Sequence, residues 1–468
     1  MDFKKKMIIM GAILVLSIGG IIAYQALTSK KTGPTGDCDI KALPKSAKLT
    51  WWGDLPETIA QNLINAYTAS RPYITIAYTK LDPKTSEQTL IEAWARDTGP
   101  DIYSVKSEAL KHFSSGGLIS PMPAKTVYYT VTKKKTLGIK EETTICKTEK
   151  AAPTPETLKS VFVSGAYNDM YQSGKILGFP LQFDSVAMFY NQQLLDEAGI
   201  LTPPKTWSEF VNIVPKLTLV DDQGKIIRAG AALGSGINVP RNPEIVTAIL
   251  KQYKISLADQ TSNTTSFQNA KDINLVLNLA SSFGNPTKTT YTWNETFPSA
   301  MDALAQGKVA IAFGTAADFT ELKNQTTGAD IRVAGFPQDI STNTVYIADY
   351  WLQTVAPRAK DANAAWDFLR FAADTNQAQT VSKTAGTTPA IRSLVESASN
   401  IAEGETASQV QVFAKQAATA MTWFPGLNPE KGREALNNLI DDLTGQKVTA
   451  SEAIDRASKV FQLSLTTP

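Results

Sequence analysis

Residues 176–207 read ILGFPLQFDSVAMFYNQQLLDEAGILTPPKTW, and this stretch decides the fold. The apolar run Ile176–Leu181 predicts a short strand, which ends at the polar and aromatic residues 182–184. A second apolar run, Val186–Tyr190, predicts another strand, and a helix follows from about Gln192. A chain that leaves one strand at an aromatic–carboxylate pair and enters another is typical of a crossing between two lobes.

The residues before this stretch predict a sheet covered by helices. Lys48–Trp52 alternate as a strand, and Glu57–Ala69 have the apolar spacing of a helix. Tyr73–Tyr78 predict a second strand, Ser86–Arg96 a second helix, and Ile102–Tyr103 the start of a third strand. Alternating strands and helices favour a parallel α/β sheet.

The second half of the chain continues this pattern. Phe297–Gly307 predicts a helix, and Lys308–Gly314 predicts the buried strand after it. Residues 346–356 predict a second crossing between the lobes, followed by an amphipathic helix over residues 361–375.

Several of these motifs resemble those of the maltose-binding-like, family 1 extracellular solute-binding proteins of ABC importers. They are the crossing itself with Pro203-Pro-Lys-Thr-Trp, Gly99-Pro-Asp-Ile, Ala305-x-Gly-Lys-x-Ala-Ile, and Leu443-Thr-Gly-Gln-Lys-Val-Thr-Ala-Ser-Glu-Ala-Ile. The similarity extends through most of the chain after residue 47, apart from residues 124–155. It implies an α/β, two-lobe, periplasmic-binding-protein-like (type II) fold with a cleft between the lobes.

On this basis the chain divides into an anchor, a tether and two discontinuous lobes. Residues 386–392 resemble the third crossing of the family, and alternation around residues 127–132 and 141–147 predicts a β-hairpin insertion. The predicted parts are a cytoplasmic tip and anchor at 1–31, a tether at 32–46, an N-terminal lobe at 47–182 and 350–392 with the insertion at 124–155, and a C-terminal lobe at 183–349 and 393–468.

The N-terminal segment Met7–Leu27 is uncharged and mostly apolar. As a helix it would span roughly 31 Å, enough to cross a bilayer. Lysines lie on both sides of it, and Ala26-Leu27-Thr28 is a poor cleavage site, so we expect a retained single-pass anchor with the rest of the chain outside the cell membrane. A cleaved signal peptide, or a lipoprotein modified at Cys38, are the alternatives.

Charge and cysteine content narrow the class of protein further. The chain has a net charge of +2, and no cluster of Lys and Arg interleaves with aromatic residues, which argues against nucleic acid as a partner. Its two cysteines, Cys38 and Cys146, would both lie in an oxidising compartment and are expected to pair, two unpaired thiols being the alternative. The sequence has no CxxC or Cys/His cluster, so no metal site is predicted.

Candidate ligand-binding residues follow predicted strands where these reach the cleft, because open α/β sheets bind ligands at strand ends. Aromatic faces cover the apolar side of a sugar ring, while carboxylates, amides and Arg bind its hydroxyls. The candidates are Trp51, Trp52, Asp54, Glu108, Asp184, Asn238, Arg241, Asp318, Tyr350, Trp351 and Trp423.

Two features complicate a sugar site. Trp51 and Trp52 are neighbours on one strand, so only one of them can face the cleft. Ala316 and Ala317 stand where sugar-binding members of the family commonly offer aromatic residues, which leaves polyols and glycerol phosphates open as ligands. The resemblance implies a monomer that delivers its solute to the permease subunits of an ABC importer, with no cofactor.

Two other classes of function remain. An anchored polysaccharide hydrolase could use Asp54 and Asp184 as paired carboxylates, but His112 is the only histidine and no G-x-S-x-G motif occurs, so no catalytic residue is predicted. A tethered scaffold or adhesion protein that kept the fold and lost transport is the other alternative.

Overall fold

The structure is a computed structural model that describes residues 37, 38, 40, 42–136, 140–259, 261–325, 328–339, 344–400, 409–446 and 448–467. The predicted anchor Met7–Leu27 lies outside these residues. Within them, no helix is both long enough and apolar enough to cross a membrane.

The strands and helices alternate along the chain. The strands are β1 (Ala47–Gly53), β2 (Ile74–Lys80), β3 (Ile102–Lys106), β4 (Lys125–Thr136), β5 (Lys140–Ala151), β6 (Tyr171–Gln172), β7 (Lys175–Ile176), β8 (Phe179–Pro180), β9 (Ala187–Asn191), β10 (Leu219–Val220), β11 (Ile226–Ala231), β12 (Ala258–Asp259), β13 (Thr264–Thr265), β14 (Val309–Gly314), β15 (Ile331–Ala334), β16 (Ile347–Ala348), β17 (Trp351–Val355) and β18 (Met421–Thr422). The helices are α1 (Glu57–Thr68), α2 (Ser86–Ala95), α3 (Leu110–Ser115), α4 (Pro155–Val161), α5 (Ser164–Met170), α6 (Gln192–Glu197), α7 (Trp207–Leu217), α8 (Asn242–Gln252), α9 (Ile273–Ser282), α10 (Ala300–Ala305), α11 (Ala316–Gln325), α12 (Ala362–Ala372), α13 (Thr375–Ala385), α14 (Arg392–Ser399), α15 (Gln409–Ala417), α16 (Pro429–Gly445) and α17 (Ala450–Thr466).

Two five-stranded sheets form the centres of two lobes. The first has the order β2-β1-β3-β17-β8, in which β1 is parallel to β2 and β3 while β17 is antiparallel to β3 and β8. The second has the order β10-β11-β14-β9-β15, with one parallel pair, β11 and β14. The predicted α/β fold with two lobes is therefore confirmed.

The quoted stretch 176–207 largely has the predicted structure. Asn191 caps α6 by accepting a hydrogen bond from the Leu194 N–H, and Thr206 and Glu209 form a capping box that begins α7. The predicted single strand over residues 176–181 is divided instead between β7, which pairs with β6, and β8, which joins the first sheet.

The hydrophobic core of each lobe is separate. The chain passes from the first core to the second between Phe183 and Val186, and returns between Ile347 and Ala348. The predicted third crossing at residues 386–392 differs from the structure, because Ala390 and Ile391 are buried in the first core. The chain last leaves that core after Ala420.

Backbone hydrogen bonds join the three crossing segments to one another. Ser185 and Ala348 form an antiparallel bridge, and β16 pairs in parallel with β18. The Asp349 N–H donates to the Asp184 carbonyl oxygen at 3.0 Å. The hinge, as we call the segments 183–186, 346–350 and 420–423, is thus a small patch of paired backbone.

The predicted hairpin insertion is confirmed as β4 and β5, which pair from Lys125 with Ala151 to Thr136 with Lys140. It packs on the first lobe, where the Val131 N–H donates to the Ser70 carbonyl oxygen at 2.9 Å.

The predicted Cys38–Cys146 disulfide is also present, and it joins the start of the described chain to β5. Next to it, Asp37 and Lys147 exchange two backbone hydrogen bonds of 3.0 and 2.8 Å. Asp37 and Cys38 are therefore held against the hairpin.

Replacing both cysteines, with Cys38→Ser and Cys146→Ser together, should lower the free energy of unfolding by up to about 4 kcal/mol, because the bridge restricts a long loop in the unfolded chain. The bridged residues are 108 positions apart. Thermal unfolding measures the effect. Reducing agent should lower the melting temperature of the native chain and leave that of the double variant unchanged; equal melting temperatures of the two proteins without reductant would contradict the prediction.

Candidate functional site

Charged side chains from both lobes meet between them. Lys106 ends β3 of the first lobe and Glu108 follows it, and Asp349 lies in the hinge just before β17. Arg241 precedes α8, Asp318 lies in the first turn of α11, and Arg433 lies on α16, all in the second lobe. The ends of elements from both lobes therefore place one ionic cluster in the cleft.

Arg241 lies at the centre of this cluster. Its guanidinium donates to Asp318 at 2.8 Å and to Asp349, and lies 3.6 Å from Glu244. Burial lowers the pKa of Arg241, but these carboxylates raise it by more, so the guanidinium stays charged. Burial raises the pKa of Asp349, but Lys106 and Arg241 lower it by more, so the pKa falls below its usual range.

Glu108 connects the lobes a few residues further along the cleft. Its carboxylate accepts a hydrogen bond from Arg433 at 2.6 Å and another from the Trp423 indole N–H. Arg433 is also held by Glu244 of its own lobe at 2.8 Å, and its guanidinium lies 5.0 Å from the centre of a Trp423 ring. Glu108, Arg241, Asp318 and Trp423, all named as candidates from the sequence, thus lie in one cluster of contacts between the lobes.

Three cavities border this cluster. One, of about 930 Å³, lies beside Glu108 and Trp423, and the other two share Lys106 and Arg433 as lining residues. Of these two, a cavity of about 690 Å³ lies between α2, the end of β3 and the start of α16, and Trp351 lines it. A smaller one, of about 250 Å³, is lined by the apolar residues Val239, Pro240 and Met301 and by Arg241 and Asp318. Lys106 and Arg433 therefore separate these two cavities.

Trp351 offers a partly exposed aromatic surface to the cavity of about 690 Å³. The Lys106 ammonium lies 5.6 Å from its ring centre, at the distance of a cation–π contact. The predicted position of Trp351 at the cleft therefore agrees with the structure.

Asp184 has a structural role, and its carboxylate is buried. Its oxygens accept hydrogen bonds from the backbone N–H groups of Ser185, Ala316 and Ala317 at 2.8–3.1 Å, which places it at the N-terminus of α11. Burial raises its pKa to about 7, against the effect of these hydrogen bonds. Both oxygens therefore bind backbone groups that connect the first crossing to α11, and the predicted contact of Asp184 with a solute stays a prediction.

Tyr350 is also a hinge residue. Its ring packs on Phe183, and its hydroxyl donates to Asp169 of α5 at 2.6 Å. Thr422 donates to the same oxygen of Asp169 at 2.5 Å, so one carboxylate binds two crossing segments. Burial raises the pKa of Asp169 to about 6. Tyr350 is thus buried in the hinge, and its predicted ligand contact stays a prediction.

Trp51 and Trp52 point to opposite faces of β1, as neighbours on a strand must. Trp51 is fully buried between Tyr78 and Phe368, and its indole N–H donates to Gln353 at 2.9 Å. Its predicted place in the cleft is therefore wrong. Trp52 is half-buried against the first core.

Asp54 lies behind the cleft. Its carboxylate accepts hydrogen bonds from the Ser104 hydroxyl and the Gln353 amide, each at 2.8 Å, and burial raises its pKa. Ser104 itself lines the cavity of about 690 Å³. Asp54 therefore orients a cavity residue and has no direct place on the cavity wall.

Asn238 supports the second lobe. Its side chain accepts a hydrogen bond from the Trp293 indole at 2.7 Å and donates to the carbonyl oxygens of Asn294 and Phe297. Trp293 is fully buried. Both residues stabilise the loop that carries Arg241, and neither is available to a ligand.

Arg433 and Glu244 are the site residues that sequence reasoning missed. Glu244 lies three residues after Arg241 on α8, a spacing that places both side chains on one helix face. No comparable local signal marks Arg433, whose partner Glu108 is distant in sequence.

Comparison with known proteins identifies the family. A sequence model of the bacterial extracellular solute-binding proteins matches residues 62–409. The chain belongs to this family. It is therefore a binding protein and not an enzyme. A comparison with curated protein sequences found no match.

Solved structures of sugar-binding proteins share the fold. A cyclo/maltodextrin-binding protein complexed with maltotetraose aligns with a TM-score of 0.68 and 16% identity over 91% of this chain and 99% of that chain. The cyclic α-maltosyl-1,6-maltose binding protein of Arthrobacter globiformis aligns with a TM-score of 0.69 and 16% identity, over 90% and 100% of the two chains. A Thermotoga lettingae solute-binding protein bound to α-D-tagatose gives 0.67 and 16%, over 90% and 100%.

The raised pKa of Asp184 predicts how stability depends on pH. Because the folded pKa is about 7 and the ordinary value is 3.8, ionisation is more costly in the folded chain than in the unfolded one. The contribution of Asp184 should be greatest below pH 4, fall by roughly 4 kcal/mol between pH 4 and 7, and stay constant above.

Asp184→Asn should flatten that fall in a series of melting temperatures measured from pH 4 to 8. The readout is the slope and not the absolute stability, because the new amide nitrogen would face the Ala317 N–H. Asp169→Asn is the matched control, since it removes only the part of the slope that ends near pH 6. An unchanged slope in Asp184→Asn would rule out the shifted pKa.

Proposed function

We propose that this solute-binding protein captures a small carbohydrate in the cleft and closes around it. The observation that carries the proposal is the cavity of about 690 Å³, within the size range of small-molecule sites, that has Trp351 on its wall beside Lys106, Glu108 and Arg433. An aromatic face next to charged hydrogen-bonding groups suits a ring with an apolar side and a hydroxylated edge.

The charge of the cavity wall also favours a neutral, hydroxylated solute. The positive and negative side chains of the wall are nearly equal in number: they are Lys84, Lys106 and Arg433 against Glu87, Glu92, Glu108 and Glu430. Such a wall supplies hydrogen-bond donors and acceptors without a strong net field. A compact ion of either sign would gain little there from charge alone.

The hinge allows the movement that capture needs. Three paired segments connect the lobes, and both lobes contribute to the wall of the cavity of about 690 Å³. A solute that contacts both lobes binds the closed state more tightly than the open one and so shifts the population toward it. The saccharides bound in structures of similar fold, maltotetraose and tagatose among them, support this class of ligand.

The proposed cellular setting is the outer side of the cell membrane. Met7–Leu27 would anchor the chain there as a single-pass helix, and the loaded, monomeric protein would dock on the permease subunits of an ABC importer. The family description, which is of extracellular proteins, supports the location of the folded part.

Isothermal titration of residues 33–468, which retain Cys38, against monosaccharides, oligosaccharides, polyols and glycerophosphodiesters tests the proposal. We expect saturable binding of at least one saccharide. Trp351→Ala should weaken it about tenfold or more, since loss of an aromatic contact costs on the order of 1.5 kcal/mol.

Tyr129→Ala is the matched control, because Tyr129 lies in the hairpin, where its ring packs on Tyr73 and does not line the cavity. It should leave the affinity unchanged. A folded protein that releases no heat with any member of the panel would contradict carbohydrate capture and favour the tethered scaffold. Binding of polyols or glycerophosphodiesters alone would keep solute capture and replace the ligand class.

A further inference from the structure

The hairpin of β4 and β5 has two unlike faces. One face packs on the first lobe: the Arg71 guanidinium lies 4.6 Å from the centre of the Tyr128 ring, and Thr126 and Cys146 are fully buried. Successive side chains on a strand point to opposite sides, so the residues between these belong to the other face.

This other face, which we call the outer face of the hairpin, combines apolar, aromatic and basic side chains. Its members, aligned by the pairing of the two strands, are Val127, Tyr129, Val131 and Lys133 on β4 and Ile145 and Lys147 on β5. Both lysines are exposed, and the other four side chains are partly exposed. Lys125 and Glu149, which share this face, form an ion pair and cancel in charge.

Such a composition suits the boundary of a lipid bilayer. Tyrosine is enriched at the level of the headgroups, where its ring is buried and its hydroxyl is hydrated. Lysine can lay its aliphatic stem along apolar surface while its ammonium reaches the headgroups.

Net charge separates the hairpin from the rest of the chain. Residues 125–151 contain seven Lys and three Glu, a net charge of +4, whereas the whole chain has +2. All the other residues together therefore carry −2. An anionic surface attracts the hairpin and not the remainder of the protein, so electrostatic attraction favours one orientation.

The disulfide holds the hairpin close to the proposed anchor. Cys38 is bonded to Cys146 of β5, and Asp37 pairs with Lys147. Leu27, which ends the apolar N-terminal segment, precedes Asp37 by ten positions. Ten residues of fully extended chain span at most about 35 Å. If that segment is retained in the membrane, the bilayer surface is consequently within reach of the hairpin.

We propose that the outer face of the hairpin binds the anionic lipid headgroups of the membrane in which the chain is anchored. Lys133 and Lys147 contact lipid phosphates, and Tyr129 lies at the level of the headgroups. The contact fixes which side of the first lobe faces the bilayer. It leaves the cleft accessible, because none of the residues that line the three cavities belongs to the hairpin.

This inference rests on the retained anchor of the proposed function and not on the identity of the solute. The test measures how closely the hairpin approaches a bilayer, with the full-length chain in vesicles and no solute present. A donor dye on Thr143→Cys, exposed on the outer face opposite Lys133, transfers energy to acceptor dyes on a trace of the lipid headgroups. Cys38 and Cys146 are bonded to each other and do not compete for the dye.

Energy transfer should be higher in vesicles of phosphatidylcholine mixed with phosphatidylglycerol than in vesicles of phosphatidylcholine alone. Raising the salt concentration from about 0.1 M to 1 M shortens the screening length from about 10 Å to 3 Å. It should therefore reduce the transfer in the mixed vesicles toward the value in the neutral ones.

The variant Lys133→Gln with Lys147→Gln should lower the ratio of docked to free hairpin about 20-fold in the mixed vesicles. Each lysine near an anionic surface contributes roughly fivefold to binding. Lys216→Gln with Lys225→Gln is the matched control, because it removes the same charge from exposed lysines of the second lobe. It should leave the transfer unchanged.

Two results would overturn the proposal: equal transfer in neutral and anionic vesicles, or high transfer in anionic vesicles that survives the Lys133 and Lys147 substitutions. Flotation of the same vesicles separates this outcome from failure of the anchor. A chain without a membrane anchor does not float with neutral vesicles, and the headgroup contact then requires flotation with anionic vesicles that the lysine variant loses. Flotation with neither overturns both. Failure of carbohydrate binding affects none of these readouts.

Discussion

The paired backbone of the hinge is the constraint on which the rest of this structure depends. Ser185 with Ala348, and β16 with β18, keep the three crossing segments side by side. Such pairing restricts relative movement of the lobes to bending about one patch. The ends of β3, α8 and α16 consequently face each other across the cleft in a defined register, and the ionic cluster can form only because they do.

Two buried carboxylates, those of Asp169 and Asp184, stabilise this arrangement of the hinge segments. Asp169 joins two crossing segments through the Tyr350 and Thr422 hydroxyls, and Asp184 joins the first crossing to α11. Both are uncharged more readily than an exposed aspartate, because burial opposes their ionisation. In the cleft itself the opposite holds for Asp349, where Lys106 and Arg241 outweigh burial. Hydrogen bonds thus stabilise the hinge through Asp169 and Asp184, and ion pairs stabilise it at Asp349, where the hinge borders the cleft.

Local sequence patterns predicted most of the fold but only part of the site. Strand ends brought Glu108, Arg241 and Asp318 together as expected, because sheet topology dictates where strand ends lie. Because neighbouring side chains on a strand point to opposite faces, one of Trp51 and Trp52 had to be buried, but the sequence does not show which one. The structural role of Asp184 could not be predicted from the sequence, since its partners Ala316 and Ala317 are distant in sequence and contribute only backbone N–H groups. The third crossing lies later than its motif suggested, because the apolar residues around 390 complete the first core.

The bridge between Cys38 and Cys146 has a mechanical consequence. A pulling force applied through the N-terminus would pass at Cys38 directly into β5 and then, as shear, into the long ladder between β4 and β5. The segment between Cys38 and β1 would carry little of that tension, so the parallel pair of β1 with β2 would be spared. The first lobe would therefore be loaded through an appendage outside its central sheet, and the spacing of the cleft would be insulated from strain on the tether.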